Sequence, residues 1–305
     1  MDRIPVIIDC DPGVDDALAL ILASQKKELE ILAITTVAGN VELEYTTHNA
    51  RLLKSFLNLT CPVSQGASQP LVKAQVTAAL THGRDGFGGQ AQRFAPYGLA
   101  ELDELSAFQR IVSILEADER PVTIIALGPL TNIATLFLAR PELKCQVKQI
   151  SLMGGAISTG NVTPRAEFNF YVDPEAAQIV MNSGVPILMA GLDVTQQAYI
   201  TDEDLRRFQS LGGARAALVT EILAAYQRED TAMHDPVAIL ALTNPEILQG
   251  EDCYVQVDTT DGPARGQSYR DIRLGQRQPN NCHVFFQLNR EAFLNEICSI
   301  LEGEV

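Results

Sequence analysis

Eight residues near the start of the chain, Asp9-Cys10-Asp11-Pro12-Gly13-Val14-Asp15-Asp16, carry four carboxylates. Apolar runs flank them at residues 4–8 and 17–22. A buried strand, a tight turn and a helix in that order would gather the acids at the carboxyl edge of a sheet, over a crevice. So many anions held together are unstable unless a cation sits among them. Asp15 or Asp16 alone could be an ordinary helix-start acid, but four together exceed what a helix start needs.

The donor set defines the class of ion. Carboxylates with backbone carbonyls and water suit Ca²⁺ or Mg²⁺, whereas softer metals call for Cys or several His. An EF-hand loop is excluded, because Val14 stands where it needs glycine and Leu20 where it needs glutamate. A metal-dependent phosphohydrolase would also begin from Asp-x-Asp at a strand end, with Asp9 as nucleophile and Asp11 as acid-base partner. It requires a later lysine and a second acidic pair, and neither is recognisable in the sequence.

The elements that must position the cluster alternate in period. Residues 4–9, 29–37, 62–64, 122–127, 147–153 and 187–192 read as strands; 17–24, 43–56, 105–115, 130–138, 202–209, 214–227 and 290–301 read as helices. Asp173-Pro174 reads as an N-cap followed by proline at the first helical position. Such βαβα alternation predicts an α/β fold, an open, mostly parallel, Rossmann-like sheet with helices on both faces. Residues 252–258, 267–273 and 283–288 read as late strands able to pair antiparallel, a small extension near the C-terminus. Residues 65–97, with the tip His82-Gly83-Arg84-Asp85-Gly86-Phe87-Gly88-Gly89, read as irregular, and a loop this long is usually functional or disordered; 154–170 read as a second irregular stretch.

Polar residues gather after several strands: Asn40, the turn Leu127-Gly128-Pro129-Leu130-Thr131-Asn132, and Met153-Gly154-Gly155 leading to Asn161 and Glu167-Phe168-Asn169. In a parallel sheet these tips share the edge of the acidic octet, where open α/β sheets bind ligands.

Composition narrows the partners. With 305 residues, 46% of them hydrophobic, the chain has ample material for a core, and no repeat or linker divides 1–305, so one domain is expected. The formal charge of −15, without a basic stripe, argues against a nucleic-acid partner. Six scattered cysteines read as reduced thiols of a cytoplasmic protein rather than a disulfide framework or zinc site. No signal-peptide pattern and no transmembrane run are recognisable. His48 and His283, in a helix and at a strand start, read as structural or exposed.

The octet with Ala17 resembles the signature of the inosine-uridine-preferring nucleoside hydrolase family. The resemblance continues through Thr35-Thr36-Val37-Ala38-Gly39-Asn40, His82-Gly83, Gly128-Pro129-Leu130-Thr131-Asn132 and Leu152-Met153-Gly154-Gly155. It ends with Ala166-Glu167-Phe168-Asn169, Asp173-Pro174-Glu175-Ala176-Ala177 and His234-Asp235-Pro236. It implies the nucleoside hydrolase fold and cleavage of the ribosyl C1′–N bond of purine or pyrimidine ribonucleosides by water. It also implies one Ca²⁺, held by Asp11, Asp16, Asp235 and the carbonyl of Leu127, with water and two ribose hydroxyls completing the shell.

By the same resemblance Asp15 is the general base, His234 assists the leaving base, and His82 does so from a loop that closes over it. Asn40, Asn161, Glu167 and Asn169 grip the ribose hydroxyls, Met153 and Phe168 pack on the sugar, and Asp9 supports the cluster through hydrogen bonds. Purine-specific relatives stack the base on tryptophans, which this chain lacks, while His82 with His234 resembles the pyrimidine-accepting branch. Residues 37–41, 126–129 and 191–195 resemble the bacterial non-specific ribonucleoside hydrolases, and the segment between Tyr226 and His234 is short for the family. A homodimer or homotetramer is implied. A non-catalytic calcium- or nucleoside-binding protein is the remaining alternative.

Overall fold

The computed structural model describes residues 3–226, 230–273 and 278–302. The chain opens with β1 (Ile4–Cys10), α1 (Val14–Gln25), β2 (Leu29–Thr36), α2 (Leu43–Phe56) and β3 (Val63–Gln65). Next come α3 (Ala79–His82), α4 (Ala107–Ala117), β4 (Val122–Ala126), α5 (Thr131–Ala139) and β5 (Val147–Met153). Then follow α6 (Phe168–Val172), α7 (Pro174–Met181), β6 (Ile187–Ala190), α8 (Leu192–Thr195), α9 (Asp202–Ser210) and α10 (Gly213–Tyr226). The last part holds α11 (Asp235–Thr243), β7 (Leu248–Cys253), β8 (Val255–Val257), β9 (Ser268–Arg270), β10 (Cys282–Leu288) and α12 (Arg290–Leu301).

Eight strands form one sheet in the order β3-β2-β1-β4-β5-β6-β10-β7, parallel throughout except for the edge pair of β10 and β7. The order runs outward from β1 through β2 and β3 on one side, and from β4 through β5 and β6 on the other. The reversal between β1 and β4 opens a crevice at their carboxyl ends. There Leu127 N–H donates to the Asp9 carbonyl at 2.8 Å, which sets the two strand tips side by side.

Side chains of β1 alternate between two cores. Val6 and Ile8 pack with α1, α2, α10 and α11 on one face, and Ile7 packs with α4, α5 and α7 on the other. Every residue of α1 from Val14 to Ala23 is buried, as is every residue of α11 from Asp235 to Ala241. The two helices pack together, and Ser151 Oγ of β5 donates to the Ala238 carbonyl at 2.7 Å.

The sequence-based reading differs from the structure in four places. Residues 252–258 do not form one strand: β7 ends at Cys253, and β8 starts at Val255 in a separate antiparallel ribbon with β9. The last strand, β10, joins the main sheet rather than that ribbon. Helix α11 is unforeseen because it is apolar nearly all round and so lacks an amphipathic period. Within the stretches read as irregular lie α3, a 3₁₀ turn over Ala91–Tyr97 and the start of α6. Gln227, expected to end a helix, lies outside the described residues. No helix among the described residues is long and apolar enough to cross a membrane.

Candidate active site

The acidic octet sits at the reversal, where β1 passes into α1. Asp16, three residues after the helix-capping Gly13, accepts the Gly13 N–H at 2.9 Å with Oδ2 and the Asp11 N–H at 3.3 Å with Oδ1. Asn40, beyond the tip of β2, ties the acids together: its N–H donates to Asp11 Oδ2 at 2.7 Å and its Nδ2 to Asp16 Oδ2 at 3.0 Å. Two glycines make room for Asp11. A Cβ at Gly39 would stand 2.0 Å from Asp11 Oδ2, and one at Gly128 would stand 2.4 Å from Asp11 Oδ1.

From far along the chain, α11 delivers Asp235 at its first turn. Ligand atoms of Asp15, Asp16 and Asp235 lie within 4.8 Å of one another. The Asp16 and Asp235 carboxyls stand close enough to shift each other's titration. Burial, then neighbouring negative charge, pushes Asp11 and Asp235 well above the usual carboxylate range and Asp15 to about 7. Asp11 Oδ1 and Asp15 Oδ1 are buried without a hydrogen-bond donor. No Lys or Arg is among the described residues lining the cavity. Orphaned carboxylate oxygens without a protein cation are the donor set of a hard divalent ion, and these residues fit one.

Asp9 stands apart. Its Oδ1 accepts from Thr35 Oγ1 and from Asn132 Nδ2, the latter at 2.8 Å, and burial raises its pKa to about 6. Asn132 also donates to the Thr36 carbonyl at 3.0 Å, clamping the tips of β1 and β2 to the start of α5.

The expected site residues other than Asp11 and Asp16 line one cavity of about 300 Å³, and those two adjoin it through the contacts above. Asn169 Nδ2 donates to the carbonyls of Leu127 at 2.7 Å and Met153 at 3.1 Å. Glu167 caps α6, accepting backbone N–H groups of Asn169, Phe170 and Gly155. Asn161 and Val162 reach the cavity from an exposed bend. That bend follows a segment pinned by Asp193, which accepts from Ile157 N–H at 2.6 Å, and by Ser268 Oγ, which accepts from Ala156 N–H at 2.8 Å.

The opposite wall is built from α3, the end of α10 and the start of α11. Val14 N–H donates to His82 Nδ1 at 3.3 Å, and the His82 ring lies 5.2 Å from that of Tyr226. Burial, then the nearby His234, lowers the His82 pKa to about 3, so its ring is neutral. His234 is held at both nitrogens, with Thr195 Oγ1 2.7 Å from Nδ1 and Asp230 Oδ2 3.2 Å from Nε2. Burial alone would lower its pKa, but the bond to and charge of Asp230, with Asp15 and Glu167, raise it. Asp230, Thr195 and Tyr226 join the expected residues in this wall, and for Asp230 the sequence signal is an acid four positions before His234. Residues 227–229 of the short segment before His234 lie outside the described residues. His48 is exposed, and His283 pairs with Asp252 at 2.7 Å, far along the sheet from this wall.

A strand reversal, a carboxylate triad joined from two helix starts and a paired histidine wall form one combination. The family model described as inosine-uridine preferring nucleoside hydrolase matches residues 6–295. The chain belongs to that family. It is therefore a nucleosidase, an enzyme that hydrolyses a ribonucleoside. It is 41% identical over 301 residues to a pyrimidine-specific ribonucleoside hydrolase RihA of Photobacterium profundum, covering 95% of this chain and 96% of the relative. Among solved structures, the purine-preferring ribonucleoside hydrolase from Gardnerella vaginalis superimposes with a TM-score of 0.89 at 28% identity, covering 98% of both chains. The plant nucleoside hydrolase PpNRh1 gives 0.89 at 30% identity over 99% of each. This nucleoside hydrolase thus shares its fold with a solved enzyme named for purine preference and 41% of its aligned sequence with one named as pyrimidine-specific.

Proposed function

We propose that this nucleoside hydrolase cleaves pyrimidine ribonucleosides to base and ribose in a Ca²⁺-dependent reaction, with purine ribonucleosides as poorer substrates. The observation that carries the reading is a single cavity lined by Asp15 and Asp235, with Asp16 grouped beside them, and by His82 and His234. Names of the RihA relatives and the absence of tryptophan for purine stacking support the pyrimidine preference.

The ligands assigned to calcium are Asp11, Asp16, Asp235 and the Leu127 carbonyl. When bound, the ion supplies a fixed positive charge that orients the ribose hydroxyls and eases deprotonation of water. Asp15 is the general base, since it lines the cavity and its buried Oδ1 has no hydrogen-bond donor and is free to take up a proton. As C1′ becomes an oxocarbenium-like centre, the buried carboxylates stabilise the growing positive charge more than they stabilise the substrate. Asn40, Asn161, Glu167 and Asn169 hold the sugar hydroxyls, and Met153 with Phe168 packs on the ring. His234 gives a proton or hydrogen bond to the leaving base, and neutral His82 donates a hydrogen bond to it. Asp9 holds the strand tips in place through Thr35 and Asn132.

A phosphomonoester substrate fits poorly, because the described cavity lining lacks a Lys or Arg to hold phosphate. We place the enzyme in the cytoplasm as a homodimer or homotetramer, an assignment open to light scattering. The activity test is release of reducing sugar from uridine, cytidine and inosine, with Ca²⁺ and after chelation. Fast, Ca²⁺-dependent release from the pyrimidines supports the reading. No ribose from any of them with Ca²⁺ present overturns it.

A further inference from the structure

The wall around His234 carries a polar pattern that the hydrolytic step itself does not require. Asp230 lines the cavity with a side chain that is 32% exposed. Its Oδ1 accepts the Ala232 N–H at 2.9 Å, and its Oδ2 lies 3.2 Å from His234 Nε2. A carboxylate only accepts, so Nε2 carries the hydrogen that faces Asp230, and Nδ1 is hydrogen-bonded to the Thr195 hydroxyl. His82, whose Nδ1 accepts from Val14, carries its own hydrogen on Nε2. Thr81 adds a hydroxyl to the same lining. The wall therefore offers donors from His82 and Thr81 and one anionic acceptor, Asp230, which is paired with His234, keeps spare lone pairs and has no Lys or Arg beside it in the described lining.

An anionic acceptor discriminates between nucleobase edges. It attracts an exocyclic amino group and repels a carbonyl oxygen at that position, while the neighbouring donors match the O2 carbonyl and the ring nitrogen N3 of an aminopyrimidine. We propose that Asp230 is a specificity-determining residue that binds the amino edge of the base and makes cytidine the preferred substrate over uridine. This deepens the pyrimidine reading above and rests on it. With uridine the same carboxylate meets a carbonyl oxygen where cytidine offers a donor, and that difference lowers kcat/KM for uridine.

The test compares wild type, Asp230→Asn and Asp230→Glu on cytidine, uridine and 4-nitrophenyl β-D-ribofuranoside, which has no base edge. Wild type is expected to favour cytidine by about tenfold or more in kcat/KM, a difference of about 1.4 kcal/mol. Asp230→Asn should reduce cytidine turnover at least tenfold more than uridine turnover, reducing or inverting the ratio, with a smaller loss on the nitrophenyl riboside. Asp230→Glu, which keeps the acceptor, should retain the preference for cytidine. Equal losses on cytidine and uridine in Asp230→Asn would overturn the proposal and leave Asp230 as a support for His234 alone. So would a wild-type enzyme that hydrolyses both nucleosides without preference. Activity on none of the three substrates would instead remove the hydrolase reading itself.

Discussion

The two sides of the cavity are built differently. The carboxylate side rests on strand tips and on α1 and α11, helices buried almost all round, with Asp11 and Asp16 fixed by Asn40 and by backbone N–H groups. On the histidine side, α3 has one turn, Asp230 is partly exposed, and contacts run between side chains of distant segments. The first arrangement suits a site that must hold several like charges in fixed geometry, since any relaxation would let water or protons in. The second suits discrimination among bases, which can change through single side chains without touching the sheet. A solved relative named for purine preference shares this fold, and a relative named as pyrimidine-specific is 41% identical in sequence, in keeping with that division.

The sharpest way to break the comparison is to remove the proposed base. Asp15→Asn should lower kcat by about 10³-fold on every substrate, including the nitrophenyl riboside, because proton removal serves attack on any of them. Steady-state kinetics across leaving groups checks this; a loss confined to one base would move Asp15 to the histidine side. His234→Ala should lower kcat by about 10²-fold on uridine and cytidine and much less on the nitrophenyl riboside, whose leaving group needs no proton. A uniform loss would mean that His234 serves the carboxylate side.

Asn132→Ala sharpens the structural half of the contrast. It deprives buried Asp9 of a donor and should cost about 1–3 kcal/mol by denaturant unfolding, with base preference unchanged. The smallest effect is a pH dependence. In ion-free protein Asp15 has its pKa raised from 3.8 to about 7, so folding favours its protonated form. That stability is present below pH ~4 and is lost as pH rises through ~7. Calcium removes the penalty, so the calcium-induced rise in melting temperature should be larger at pH 8 than at pH 5, measured by calorimetry. A rise independent of pH would mean that the ion does not meet these carboxylates.

The same contrast governs how much the sequence reveals. The carboxylate side is legible because four acids between two apolar runs have no ordinary structural reason, and because alternation of strands and helices brings Asn40, Leu127 and Asn169 to the same edge. Asp235 could be named by resemblance, yet its helix could not be read, since α11 has no polar face to give it a period. The histidine wall is less legible: Asp230 and Thr195 acquire meaning only when folding places them on the two nitrogens of His234. The division at Tyr254 between β7 and β8 is likewise set by which sheet each strand joins, not by local composition.

One question decides the central claim. Proximity groups Asp15 with Asp16 and Asp235, whereas the proposed roles make Asp11, Asp16 and Asp235 ligands and leave Asp15 as base. Calcium titration by calorimetry on wild type, Asp15→Asn, Asp11→Asn and Asp235→Asn separates these. Asp15→Asn is expected to bind Ca²⁺ within a few-fold of wild type while losing turnover, with Asp11→Asn and Asp235→Asn losing the ion. An Asp15→Asn protein whose Ca²⁺ affinity falls as far as that of Asp235→Asn would contradict the account.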